Sequence, residues 1–145
     1  MINEKGFTLG ELLMVVVILG VMGGVALPKF YPQKEKGVVA EAVAVLGAIR
    51  QGEIAWSLEN GGGDFTGLVA GGDWTVIGMA DPNVAGGRFT YSVDAGNNLA
   101  IATRVANGVN AAYAYRTLNL GLADGNWKAA VNPAIVHPFQ PTNAN

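Results

Sequence analysis

From Phe7 to Leu27 the chain reads FTLGELLMVVVILGVMGGVAL, 21 residues with a single charge at Glu11. As a helix this run spans about 31 Å, roughly the hydrocarbon thickness of a bilayer. It is too long to be the buried helix of a small soluble domain, because the rest of a 145-residue chain cannot surround it. A cleaved secretory signal is locally compatible, since small residues occur in Met22-Gly23-Gly24-Val25-Ala26 at the end of the stretch. Charge does not settle the topology. Glu4 and Lys5 offset each other on the short polar start, and Lys29, Lys34 and Lys36 lie just past the far end. The lysine count alone would put the C-terminal side inside the cell.

Composition narrows the class. Half of the residues are hydrophobic and 14% are charged, against about 25% charged in an ordinary soluble domain. Glycine, at 21 residues, is about double its usual share of about 7%. These values argue against a disordered chain and against a freely soluble monomer with a well-charged surface. The net charge of −2 gives no field that would draw the chain to nucleic acid, so no specific nucleic-acid partner is expected. The absence of cysteine removes disulfides, thiol chemistry and iron–sulfur ligation, but does not fix the compartment.

Pro28 and Pro32 bracket Lys29-Phe30-Tyr31 and mark the exit from the apolar run with a kink. Gly20, Gly23 and Gly24 make the preceding stretch the weakest part of the helix by propensity, and Gly20 and Gly24 also have GxxxG spacing. Residues 38–59 read as a second helical stretch. Val38, Ala42, Val45, Ile49 and Trp56 form a stripe suited to cover a sheet. The opposite face, Ala40, Ala44, Gly47, Gln51, Ile54 and Leu58, carries no charge. A helix apolar on most sides is buried on most sides, against its own subunit or against helices of neighbouring subunits. The second alternative is preferred.

Asn60-Gly61-Gly62-Gly63 is a strong helix stop, and residues 61–72 form a glycine-rich connecting loop. Short alternating segments follow: Trp74–Ile77, Arg88–Val93, Leu99–Val105, Ala112–Thr117 and Trp127–Val131. Turn signals at Asp94–Asn98, Asn107-Gly108 and Asp124–Asn126 separate them. The expectation is α+β: a long N-terminal helix, hydrophobic in its first half, whose C-terminal half packs on a four-stranded antiparallel β-meander within residues 73–132, with a fifth short strand possible. The proline-rich tail, residues 133–145, is expected to be an extended strap or partly disordered.

Sites for chemistry are scarce. His137 stands alone in the tail, a poor metal or catalytic candidate. Ser57 and Ser92 sit in no nucleophile-elbow pattern, and no phosphate- or dinucleotide-binding fingerprint follows a strand. Asp94, Asn97 and Asn98, or Asp124 and Asn126, offer oxygen ligands for calcium, but Asx-type turns explain them better. Phe30 and Tyr31 are better explained by packing than by electron conduction. No enzyme activity, cofactor or metal is expected.

The segment Lys5-Gly6-Phe7-Thr8-Leu9-Gly10-Glu11-Leu12, followed by the apolar run and Pro28, resembles the N-terminus of type IV prepilins, a family that includes type IV pilins, type II secretion pseudopilins and competence pilins. It departs from the family pattern at Gly10, where a large apolar residue is usual, which should loosen the first helical turn. The resemblance implies the pilin fold and a processing route. A prepilin peptidase would remove residues 1–6 as a leader by cutting between Gly6 and Phe7, and would methylate the new amino terminus of Phe7. Residues 7–27 would serve as membrane anchor and then as filament core, with 28–60 as the amphipathic part of the helix.

It further implies an assembly role for Glu11, whose carboxylate would pair with the amino group of Phe7 in a neighbouring subunit. Gly20, Gly23, Gly24 and Pro28 would allow the helix to melt or kink in the filament. The implied function is a structural subunit that polymerises into a pilus-like filament, with the inner-membrane assembly machinery as partner. Its location would be the inner membrane as precursor and the cell surface as filament. The alternatives are a type II secretion pseudopilin or minor pilin, a bitopic membrane protein with a ligand-binding periplasmic head, and a secreted enzyme with a removed signal.

Overall fold

The computed structural model of the protein describes residues 6–107, 111–129 and 133–143. In chain order it contains α1 (Leu9–Glu59), a 3-10 turn at Trp74–Ile77, strands β1 (Phe89–Asp94), β2 (Leu99–Arg104) and β3 (Thr117–Gly121), and a 3-10 turn at Pro133–Ile135. The fold is α+β. Two compact units are present, the first ending at Gly37 and the second beginning at Val38.

The first unit is helix from Leu9 onward. Backbone assignment is α-helical through Pro28 and Pro32, so the apolar and amphipathic parts of the expected long helix are one element. Neither proline ends the helix in this chain. Of the expected leader, residues 1–6, the first five including Lys5 lie outside the described residues.

In the second unit the stretch of α1 from Val38 onward buries Val38, Val39, Ala42, Leu46 and Ile49 in one cluster with the sheet. The sheet is antiparallel with order β1-β2-β3. Its inner face is built in cross-strand rows, Val93–Ala100–Leu120 and Tyr91–Ala102–Leu118. The central strand contributes only alanines to these rows, and both are fully buried. Small residues in the middle and large ones at the sides leave room for Leu46 and Ile49 of the helix. The expected stripe is thus shifted. Leu46 is fully buried, whereas Val45 and Trp56 are only partly covered.

Three strands are described where four were expected. Trp74–Ile77 is a 3-10 turn, not a strand. Asp73 Oδ1 caps it by accepting from the Thr75 N–H, and Gly78 closes it at φ 73°. At three residues per turn Trp74 and Ile77 share the buried side, which alternation could not achieve. The strand expected at Ala112–Thr117 begins only at Thr117, because 111–115 is turn and Tyr115 has φ 56°. Arg104 exchanges hydrogen bonds with both Tyr115 and Arg116, two residues against one, which ends regular pairing there. Of the segment Trp127–Val131, Trp127 makes a single bridge to Leu120, and residues 130 and 131 lie outside the described ones. The turn at Asn107-Gly108 likewise falls partly outside them.

The expected helix stop is present: the Asn60 side chain donates to Trp56 O, the Gly62 N–H donates to Ser57 O, and Gly61, Gly62 and Gly63 all have positive φ. The tail forms a strap. Val136 bridges Thr117 in parallel, and the Gln140 side chain accepts from the Asn119 N–H at 2.9 Å and donates to Lys128 O at 3.1 Å. Asn143 Oδ1 accepts from the Trp127 N–H at 2.8 Å. β3 is therefore buried at every residue.

Candidate functional site

The candidate site is a linear segment at the start of the chain. Gly6 and Phe7 precede α1 as exposed, irregular backbone, and Phe7 is 85% exposed. Thr8 is the residue before the helix. Its backbone N–H and its hydroxyl donate to Glu11 Oε2 at 2.9 and 2.8 Å, while the Glu11 N–H donates to Thr8 Oγ1 at 3.3 Å. This is a capping box: the threonine covers one orphan N–H of the first turn, and the glutamate reaches back to the cap. Thr8-x-x-Glu11 is the sequence signature of that motif, so the contribution of Thr8 was legible beforehand and was missed.

Past Glu11, as far as Ala26, the helix is apolar and uncovered. From Leu9 to Ala26 it is long and apolar enough to cross a membrane by length and composition, and none of that window is buried. Gly10, Gly20, Gly23 and Gly24 lie in regular helix, and a Cβ built at any of them meets nothing within 4 Å. Nothing among the described residues requires glycine at these places. Phe30 and Tyr31 are exposed at 66% and 61%. In the second unit Ala40, Ala44, Gln51 and Leu58 are exposed, while Gly47 and Ile54 of the same face are intermediate.

The other polar residues have structural work. Asp94 Oδ1 accepts from the Asn97 N–H and Asp124 Oδ1 from the Asn126 N–H, so both clusters are turns tied by their own side chains. The hydrogen bond and charge of Lys128, with the Asn126 N–H, hold the Asp124 carboxyl at about 2. Asn97 holds Asp94 below the usual range in the same way. Ser57 Oγ accepts from the Gly63 N–H in the helix stop. Fully buried Glu53 receives the Thr66 N–H at 2.8 Å and the Thr66 hydroxyl, tying the connecting loop to α1. Burial, with the Glu41 charge nearby, pushes Tyr91 up to about 12. No group of three or more acidic, histidine or cysteine residues suited to a metal occurs among the described residues.

No family model matches the chain. It is 28% identical over 111 residues to a fimbrial protein of Neisseria meningitidis serogroup A, covering 74% of this chain and 59% of that protein. It is 28% identical over 107 residues to a type IV major pilin of Neisseria gonorrhoeae, covering 74% of this chain and 61% of that protein. It is also 42% identical over 51 residues to the type II secretion system core protein G of Klebsiella pneumoniae, covering 32% of this chain and 36% of that protein. The chain thus spans about three fifths of the length of the Neisseria proteins it matches. These matches make the chain similar to type IV pilins and, over a shorter stretch, to a type II secretion core protein; the chain itself carries an apolar N-terminal helix and a three-stranded antiparallel sheet.

Proposed function

We propose that the chain is a structural subunit that polymerises into a type IV pilus-like filament through its N-terminal helix. One observation carries this reading: an apolar span, Leu9–Ala26, that its own subunit leaves wholly uncovered. About 18 residues of apolar helix need either lipid or other helices around them. The pilin reading is preferred to a secretion pseudopilin because the pilin matches extend over about three quarters of the chain and the secretion match over about one third.

In this reading a prepilin peptidase cuts between Gly6 and Phe7 and methylates Phe7. The precursor waits in the inner membrane, and the assembly machinery moves it into a surface filament. Glu11 pairs with the amino group of Phe7 on a neighbouring subunit. An unpaired register would leave two charges in an apolar core, so the pair selects one axial offset. Within the filament the stretch from Gly20 to Pro28 is partly unwound. Three glycines cost about 1 kcal/mol each relative to alanine, and Pro28 lacks a backbone donor. Lipid holds the helix together because unpaired backbone groups are too costly there.

The deciding experiment is the mass and N-terminal residue of the native protein, with electron micrographs of material sheared from cells. A methylated Phe7 start and thin filaments containing this chain are expected. A native N-terminus at Met1 with monomer after extraction would favour a bitopic membrane protein. A start beyond Val25 would favour a secreted enzyme. A density map with unbroken α-helical hydrogen bonding from Phe7 to Leu27 would refute the unwinding alone.

A further inference from the structure

Besides the contacts of Val136, Gln140 and Asn143, the strap is held by one buried ring. His137 is 1% exposed, and its backbone N–H donates to Thr117 O of β3 at 2.7 Å. Its imidazole stacks on Tyr113 at 5.7 Å and 24°, and also meets Phe89 of β1 and Phe139. The Phe139 backbone N–H points at His137 Nδ1 at 3.2 Å. A backbone N–H can only donate, so Nδ1 carries a lone pair, and the seated ring is neutral with its proton on Nε2. Adding a proton to Nδ1 sets donor against donor inside a buried ring stack.

The charged groups of the packed elements have the following places. Arg104 of β2 lies 5.4 Å over the Phe89 ring, and Arg116 precedes β3. Arg88, next to β1, is paired with Glu41 at 3.3 Å. Asp94, at the far end of β1, is engaged by Asn97. β3 and residues 133–143 contain no other charged or titratable side chain.

We propose that His137 is an acid-sensitive latch: the strap formed by residues 133–143 is seated on the outer edge of β3 only while this imidazole is neutral, and protonation releases it. The sign follows from linkage. The seated state takes the neutral ring, whereas a released ring titrates near the ordinary value of about 6.5. Seating is therefore at full strength above that value. It weakens as the pH falls through it, by up to about tenfold per unit. Release uncovers the Thr117 carbonyl and the Asn119 N–H, groups the strap now satisfies. An opened β3 edge is a template for pairing with another strand.

The test is hydrogen–deuterium exchange on the full chain in detergent micelles, at about pH 7.5 and about pH 5, with rates corrected for intrinsic chemistry. The opening constant of residues 136–140 and of the Asn119 amide should rise roughly thirtyfold on acidification. The β1–β2 ladder should not follow. His137→Phe keeps an aromatic ring but cannot titrate, and its strap should exchange independently of pH. The proposal falls if the native strap shows no acid response, or if His137→Phe keeps the whole of it. Should that variant fail to fold, nitrogen NMR of the native imidazole decides. An Nδ1 that protonates with the ordinary midpoint while the strap stays protected overturns the latch.

Discussion

Thr8 and Glu11 hold one another across the first turn of α1: one carboxylate oxygen of Glu11 takes both the backbone N–H and the hydroxyl of Thr8. The acid proposed to meet a neighbouring subunit is thereby aimed back toward the chain start before any neighbour arrives. Capping and pairing can be separated by substitution, because Thr8 contributes only to the first. Thr8→Val should loosen the first turn by about 1 kcal/mol, the usual cost of a lost cap, and leave filaments fewer but present. Glu11→Ala should be cut and inserted normally, yet assemble poorly or not at all. Filament counts by electron microscopy check both. Parental filaments from Glu11→Ala would refute the pairing, and equal loss from Thr8→Val would reduce Glu11 to a cap.

Gly6 is exposed backbone just ahead of the helix, and nothing lies within 4 Å of the position a Cβ would take. Among the described residues nothing requires glycine there. Gly6→Val should leave an uncut, membrane-retained precursor and no filaments, because a β-branched residue obstructs close approach in a protease cleft. Normal amounts of mature protein from this variant, measured by mass, would sink the proposed cut.

Two glycines five residues apart on α1 should respond oppositely. A Cβ at Gly52 would come within 2.5 Å of the Ile77 carbonyl oxygen, backbone that cannot swing aside. Gly52→Ala should destabilise the second unit by about 1–3 kcal/mol, the usual cost of overpacking. Gly47 has no neighbour within 4 Å, so Gly47→Ala should raise stability by about 0.5–1 kcal/mol through helix propensity. Thermal or denaturant unfolding of the full chain in micelles, followed by the fluorescence of buried Trp74, reads both. If neighbouring subunits pack on the Gly47 face, the same stabilised variant should form fewer filaments.

Glu53 is fully buried, and its carboxylate meets both polar groups of Thr66. Glu53→Ala leaves those groups without a partner, at a cost of about 1–3 kcal/mol. Glu53→Gln keeps one acceptor and adds one donor, and should cost less than half as much. Equal losses in an unfolding titration would mean that the charge, and not the hydrogen-bond pattern, holds the loop.

Asp124 is held at about 2, chiefly by the hydrogen bond from Lys128 and then by the Asn126 N–H. Its folded value is depressed, so whatever the turn gains from it is complete above the ordinary value of about 3.9 and is lost as the pH falls toward about 2. Lys128→Met should move the carboxyl titration upward by carbon-detected NMR, toward the ordinary value. An unchanged midpoint would show that the Asn126 turn is sufficient by itself.

The apolar span Leu9–Ala26 was legible because its constraint is local. A helix of that length and apolarity needs no partner in its own subunit, and the Thr8-x-x-Glu11 cap is written at a spacing of three. The chain end of α1 was legible for the same reason, in Asn60 and the glycines after it. β1 and β2 appeared nearly where alternation put them. Alternation failed at Trp74–Ile77, where the cap at Asp73 and the turn at Gly78 outweigh strand propensity and the close approach to Gly52 demands a tight coil. It failed again before Thr117, where Tyr115 adopts positive φ and two residues face Arg104. Those outcomes depend on contacts between residues tens of positions apart, as do the Glu53–Thr66 tie and the seating of His137 among Tyr113, Phe89 and Phe139. Sequence determined the membrane-length helix and its ends, because periodicity and capping act within a few residues. Tertiary structure decided which polar groups are buried and what closes the edge of β3, because a buried donor accepts whichever partner the folded chain brings to it.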